Sequence, residues 1–161
     1  MGLARDGPTL THPALSGKAP GCVGSESPFL SAIDSIIPRP VSNPADPEAI
    51  IQRQLDAYNA RDLGTLLEIY ADDAELYEHP ATLLARGTAA LRARFLARFQ
   101  ELNLHAELRR RIAMGNFVID HEVVTRTFPE GPGTLEVVMI YEVQAGRIAK
   151  SWSLPGAKTL A

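Results

Sequence analysis

The stretch from 50 to 80, IIQRQLDAYNARDLGTLLEIYADDAELYEHP, carries the reading of the fold, and its last eleven residues, YADDAELYEHP (70–80), carry most of it. Here a helix ends, a short strand begins, and His79 is left beside Pro80 after a run of carboxylates. Alternate side chains of a strand share a face. Leu76 and Glu78 therefore point one way and Glu75, Tyr77 and His79 the other, so that one ionisable group can look into a cavity. Asp72 and Asp73, at a helix end followed by a strand, read as acids that fix a turn by bonding to backbone.

Upstream, Asp46 can cap a helix and Pro47 suits its first position, while Ile50, Ile51, Leu55 and Tyr58 recur near a 3.6-residue period. That predicts a first helix to about Ala60. Asp62 reads as the cap of a second, short helix with Leu63, Leu66, Leu67 and Tyr70 on its apolar side. Beyond the loop around Pro80, Thr88 reads as the cap of a third helix. Its stripe is Leu91, Phe95, Leu96 and Phe99, with Arg92, Arg94 and Arg98 mostly outside.

Downstream the period changes to two. Strands are expected over about 103–114, 117–128, 134–144 and 147–154, separated by Gly115-Asn116, EGPG (130–133) and Ala145-Gly146, which are hairpin signals. In the third of these, Leu135, Val137, Met139, Tyr141 and Val143 form a core face. In the second, Phe117, Ile119, His121, Val123 and Thr125 oppose Val118, Asp120, Glu122, Val124, Arg126 and Phe128, and neither face is purely polar. Three helices followed by a curved antiparallel sheet make an α+β domain with helices on one side of the sheet. A half-apolar outer face predicts a homodimer through the sheet.

Residues 1–45 hold seven prolines and five glycines with no sustained period, so burial there cannot offset the entropy of ordering. They read as a disordered tail in which FLSAIDSII (29–37) can form an amphipathic turn. The domain is placed at 46–157, with a C-terminal tail at 158–161. A chain of 161 residues and 17.5 kDa with 45% apolar residues fits one folded domain. A net charge of −3 and a pI near 5.8 give no general reason to bind nucleic acid or an anionic membrane. The single cysteine, Cys22, cannot form an internal disulfide, and no apolar run approaches the roughly 18 to 20 residues of a membrane span. A cytoplasmic protein is expected.

The segment 50–80, the helix after ARGTAAL, and IYEVQAGRIAKSW near the end resemble the nuclear transport factor 2-like superfamily. Within it they are most similar to the SnoaL-like and ketosteroid-isomerase-like branch, over about residues 47–154. The resemblance implies a cone whose mouth admits a small, largely apolar molecule between helices and sheet, in isomerases, polyketide cyclases, dehydratases, epoxide hydrolases and noncatalytic binding modules. Ketosteroid isomerase uses an aspartate base, with a tyrosine and a protonated aspartic acid as its oxyanion hole. Carried over by position, the tyrosine falls on Gln54, the base on His79 and the second donor on Met139. Two of the three are thus replaced by groups that cannot do the same acid–base work, and the steroid mechanism does not transfer intact.

Histidine remains suited to proton transfer near neutrality. His79 and His121 are the catalytic candidates, and Gln54, Tyr58, Tyr77, Phe95, Met139, Tyr141 and Trp152 the expected pocket lining. Each histidine also has an ordinary reading, as a loop cap or a satisfied strand residue. His105 reads as solvated and His12 lies in the tail. Of Arg109, Arg110 and Arg111, the first and third share a face, solvated or acid-paired. No metal-ligand spacing, phosphate loop or nucleophile elbow is present, so neither metal nor cofactor is expected. Two functions stay open: an isomerase, cyclase or dehydratase acting on an apolar carbonyl or polyketide-like molecule, and a noncatalytic ligand-binding or association module.

Overall fold

The computed structural model describes residues 46–161. The readings placed on the N-terminal segment (the tail, FLSAIDSII, His12 and Cys22) lie outside the described residues. Helix α1 spans Pro47–Ala60, α2 Leu63–Ile69 and α3 Gly87–Arg98. The strands are β1 (Tyr70–Glu78), β2 (Thr82–Arg86), β3 (His105–Met114), β4 (Phe117–Phe128), β5 (Gly131–Gln144) and β6 (Arg147–Leu160).

The first two helices start as their sequences dictate. The Asp46 side chain accepts from the Glu48 N–H with Pro47 in the first turn, and Asp62 accepts from the Thr65 N–H at 3.0 Å and from its hydroxyl at 2.6 Å. Those bonds to Thr65 hold the Asp62 carboxyl below its ordinary pKa. At the end of α1, Arg61 turns into the left-handed region and its guanidinium donates to the carbonyls of Glu101 and Leu102, pinning the loop before β3.

The third helix departs from expectation. Arg86 occupies the cap position without a side-chain bond, and Thr88 donates instead to the Asp72 carbonyl at 3.4 Å, tying α3 to β1. Its inner arc runs through Leu91, Arg94, Phe95, Arg98 and Phe99, while Leu96 is 45% exposed. That is the i, i+3, i+4, i+7, i+8 pattern of one helical face, and it brings in two arginines where the apolar stripe had suggested Leu96.

The six strands form one sheet in the order β2-β1-β6-β5-β4-β3. It is mixed rather than wholly antiparallel, because β1 and β6 run parallel. The two are separated by α3 and four strands, so no hairpin imposes their direction. Residues 82–86, read as loop, form β2 against β1; five residues carry too little alternation to announce a strand. Asp72 and Asp73 lie within β1 rather than in a turn, and Asp72 pairs with Arg147 at 3.3 Å. Strand β6 continues to Leu160, so residues 158–160, expected as a tail, pair with 133–135. Gly133 permits this: a Cβ there would stand 2.3 Å from the Thr159 carbonyl oxygen.

Two side-chain clusters hold the helices to the inner face of the sheet. One centres on Ile50, Ile51, Leu66, Leu91, Val118, Tyr141 and Ile148, the other on Leu55, Leu104, Ala106, Val124 and Val137. Tyr58, Phe99 and Met139 pack against both. Among the described residues no helix is long and apolar enough to cross a membrane.

Candidate active site

A cavity of about 190 Å³ opens between the two clusters, walled by α1 and α3 on one side and by inward residues of β1, β4, β5 and β6 on the other. Its deep wall holds Gln54, Tyr70, Glu122, Tyr141 and Ser151, each no more than 6% exposed, and its rim holds Glu78, Leu84 and Pro155.

Glu122 is the chemically unusual member. Along β4 the residues Val118, Asp120, Glu122 and Val124 are buried and their neighbours half-buried, so two acids stand on an apolar face. Their circumstances differ. Asp120 is fully buried but receives Arg111 in two bonds, Nε to Oδ1 at 2.7 Å and Nη2 to Oδ2 at 2.6 Å, a fork on a carboxylate. Arg111 is itself held by the Gln52 amide oxygen at 3.0 Å. Glu122, 5% exposed, has no such partner: its Oε1 is buried without a hydrogen bond among the described residues. Burial, and then the Asp120 charge, push its pKa up to about 8, and Arg111 opposes this only in part. At pH 7 the acid is mostly protonated.

The phenols around it stay neutral. Burial pushes Tyr58 up to about 12 and raises Tyr70 and Tyr141 well above the ordinary tyrosine range, with Glu122 adding to each. The Tyr141 hydroxyl donates to the Gln54 amide oxygen at 3.3 Å. Tyr58 meets Phe95 and Phe99 edge-on, with centroids 6.5 and 5.7 Å away. The cavity thus offers neutral donors and an acid poised near neutrality, which is the equipment of general acid–base chemistry.

Three arginines, Arg94, Arg98 and Arg126, also reach the cavity. Arg98 and Arg126 share the carboxylate of Glu101 at 3.1 and 3.0 Å.

Of the residues expected to line a pocket, Gln54, Tyr58, Tyr77, Phe95, Met139 and Tyr141 are in the cavity wall, although the Tyr77 ring stacks on Trp152 at 6.0 Å and its hydroxyl donates to Glu75. Trp152 itself is on the opposite face. Ile148 pairs with Val143 and Lys150 with Glu142, so Ala149 is an extra residue in β6, and this bulge reverses the facing of the residues from Lys150 to Pro155, up to a second register shift beyond Pro155. His121 is likewise on the outer face, its Nε2 2.7 Å from Glu136 Oε1. His79 is exposed beyond β1, with its N–H donating to the Ser153 carbonyl at 2.9 Å. The two histidines do not converge, and neither lines the cavity. His105 is exposed at the start of β3. Among the described residues no cluster of His, Cys, Asp or Glu could hold a metal ion.

Reading the sequence missed Glu122, which stands there only as one member of a mixed strand face. The signal was available: two acids alternate with Val118 and Val124 on one strand face, and acids on an apolar face are expensive unless paired or used. Bulging also explains Arg111. Leu108 pairs with Glu122 and Arg110 with His121, so Arg109 is the extra residue and Arg111 turns inward onto Asp120 while Arg109 pairs with Glu107 outside.

A sheet rolled over helices around a cavity with polar groups on an apolar wall defines an α+β roll. The SnoaL-like domain model matches residues 51–151, more than half the chain, and the chain belongs to that family. Solved structures agree on the fold, that of the nuclear transport factor 2-like group. An uncharacterized cystatin-fold protein from Novosphingobium aromaticivorans is 22% identical, with 66% of this chain and 96% of that one covered and a TM-score of 0.62. IdmH, a putative polyketide cyclase from Streptomyces antibioticus, is 22% identical over 68% of this chain and 91% of its own, at a TM-score of 0.58. An epoxide hydrolase of the LEH-like kind from M. tuberculosis is 16% identical over 68% and 82%, at 0.60. No curated protein matches the chain.

Proposed function

We propose that this SnoaL-like protein is an acid–base enzyme acting on a small carbonyl compound with a polyketide-like skeleton, and that Glu122, rather than a histidine, moves the proton. The observation that carries this reading is the buried, unpartnered Glu122 Oε1 in the cavity wall. Ionised, Glu122 removes a proton from the carbon next to the carbonyl and leaves an enolate. Tyr58 and Tyr70, both close enough to feel the Glu122 charge, are neutral donors for the enolate oxygen. The proton on Glu122 then returns to a different carbon, which is isomerisation. Alternatively, the enolate carbon attacks a second carbonyl and the proton goes to the new alkoxide, which is cyclisation. A pKa near the working pH suits both directions of transfer.

The test is exchange of deuterium from solvent into the α-carbon of simple ketones such as 2-tetralone, followed by NMR. Wild-type protein should accelerate exchange over buffer, and Glu122→Gln should remove on the order of 10²-fold or more of that acceleration. His79→Ala and His121→Ala should leave it unchanged. Exchange that survives Glu122→Gln overturns the assignment. A bound ketone with no exchange above buffer gives the site to a noncatalytic binding module of the same fold.

The outer sheet face also supports a second copy of this chain as partner. Ile119, Ile140 and Trp152 make one row across β4, β5 and β6, with Val138 and Leu154 beside it, all half-exposed in the single chain. Such a continuous apolar row is the feature a symmetric dimer covers.

A further inference from the structure

We infer that the ligand of this cavity is an organic acid, an apolar body of about bicyclic size whose carboxylate is received by Arg94 and Arg126. Charge accounting in the cavity wall leads there. Three guanidinium groups face the space, and the ion pairs at that end use one carboxylate, Glu101, which Arg98 and Arg126 share. Arg126 is only partly satisfied by it: Nη2 is bonded, but Nε is buried without a partner. Arg94, half-buried on the inner arc of α3, forms no ion pair among the described residues, and the nearest acid acting on it is Glu78 at the rim. Burial and the like charge of Arg98 both press against the ionised form of Arg94. Three cations at one end of a small cavity, two with open donors, are stable company for an incoming anion and poor company for a neutral steroid-like molecule.

Arginine chemistry narrows the anion. The fork of N–H donors matches the two coplanar oxygens of a carboxylate, and the rest of the wall here is Leu55, Phe95, Val124, Leu135 and Val137, which suits carbon rather than further charge. The strand sets the length. Glu122 and Arg126 face inward four residues apart on β4, on the order of 13 Å at about 3.3 Å per residue. A carboxylate on a body of two fused rings, with a hydrogen bond at each end, is of that order of length and spans from the anchored carboxylate to the Glu122 carboxyl. Glu122 in its protonated form does not repel such a ligand. This inference takes from the proposed function only that the ligand occupies this cavity, and binding rather than turnover tests it.

Calorimetric titration of the whole protein at pH 7 with naphthalene-2-carboxylate and with its neutral analogue naphthalene-2-carboxamide makes the comparison. The acid should bind at least about tenfold tighter, and added salt should weaken the acid alone. Arg94→Gln should bring the acid down to the level of the amide, with an unchanged melting temperature showing that the variant is folded. Arg126→Lys, which keeps a cation for Glu101, should weaken the acid as well, because the fork is lost. Glu122→Gln should keep the preference, so that failure of the catalytic assignment and failure of this one are distinguishable. Equal affinity for acid and amide, no binding of either, or a preference that survives Arg94→Gln overturns the inference. Displacement of the acid by an equal concentration of inorganic phosphate overturns the carboxylate assignment in favour of a general oxyanion site.

Discussion

Replacing Glu122 by glutamine keeps the size and shape of the side chain and removes its ability to ionise, so the pH dependence of stability isolates what burial does to this one group. In the unfolded chain the carboxyl titrates near 4.5; in the fold it titrates near 8. Below pH 4.5 it is neutral in both states and its stabilising effect is fully present. Between 4.5 and 8 the unfolded chain releases the proton while the fold keeps it, so stability falls as pH rises through the window and is level again above it. At about 1.36 kcal/mol per pKa unit the full loss is on the order of 5 kcal/mol. Water entering the cavity screens part of it, and the expected loss is about 2–5 kcal/mol. Urea unfolding of wild type and Glu122→Gln at half-unit steps from pH 4 to 9 reads this directly. The two stabilities should converge at the acid end, and the variant should become progressively the more stable at the alkaline end. Parallel curves across pH 4.5–8 would refute the claim that the fold holds Glu122 neutral, and with it the basis for the proton-transfer role.

Three other changes read other parts of the molecule. Arg111→Ala leaves Asp120 fully buried without its cation and should cost about 3–5 kcal/mol by urea unfolding, whereas Arg111→Met with Asp120→Leu should recover most of that. Gly133→Val drives a side chain into the Thr159 carbonyl and should free the end of β6, seen as faster amide exchange at 158–160, with a modest stability loss of about 1–3 kcal/mol. Ile140→Lys, in the middle of the outer apolar row, should convert a dimer to a monomer in light scattering without loss of fold; a wild type that is already monomeric refutes the dimer.

What was legible in the sequence was whatever depends on neighbours along the chain. The Asp46 and Asp62 caps, the start of α1 and the alternation of β5 are all local, and each stands where the sequence put it. The mixed sheet was not legible, because the parallel meeting of β1 and β6 is a long-range pairing that no turn announces. Fold-level resemblance pointed to the cavity, yet it pointed to positions rather than to chemistry, and the groups at those positions had changed.

The site was misread for a narrower reason, which is the counting of parity. An alternation of two is reliable only while the strand is regular, and each extra residue reverses every later side chain. One extra residue at Arg109 turns Arg111 inward to neutralise Asp120; one at Ala149 turns Trp152 out of the pocket. Strand β4, between the antiparallel strands β3 and β5, pairs with β5 without a register shift, so its parity can be trusted, and that parity excludes His121 and selects Glu122. The same regularity explains how two acids two residues apart on one strand face can have opposite fates. The bulge in β3 delivers an arginine to Asp120 and to no other acid on that face, so Glu122 is left neutral and unpartnered beside the cavity. An irregular strand next to a regular one therefore separates a structural ion pair from a reactive carboxyl. Deleting Arg109 removes only the extra residue, so Arg110 stays opposite His121 and Arg111 opposite Asp120, and stability at pH 7 and its alkaline decline should stay near those of wild type. A deletion that costs as much stability as Arg111→Ala would refute that account.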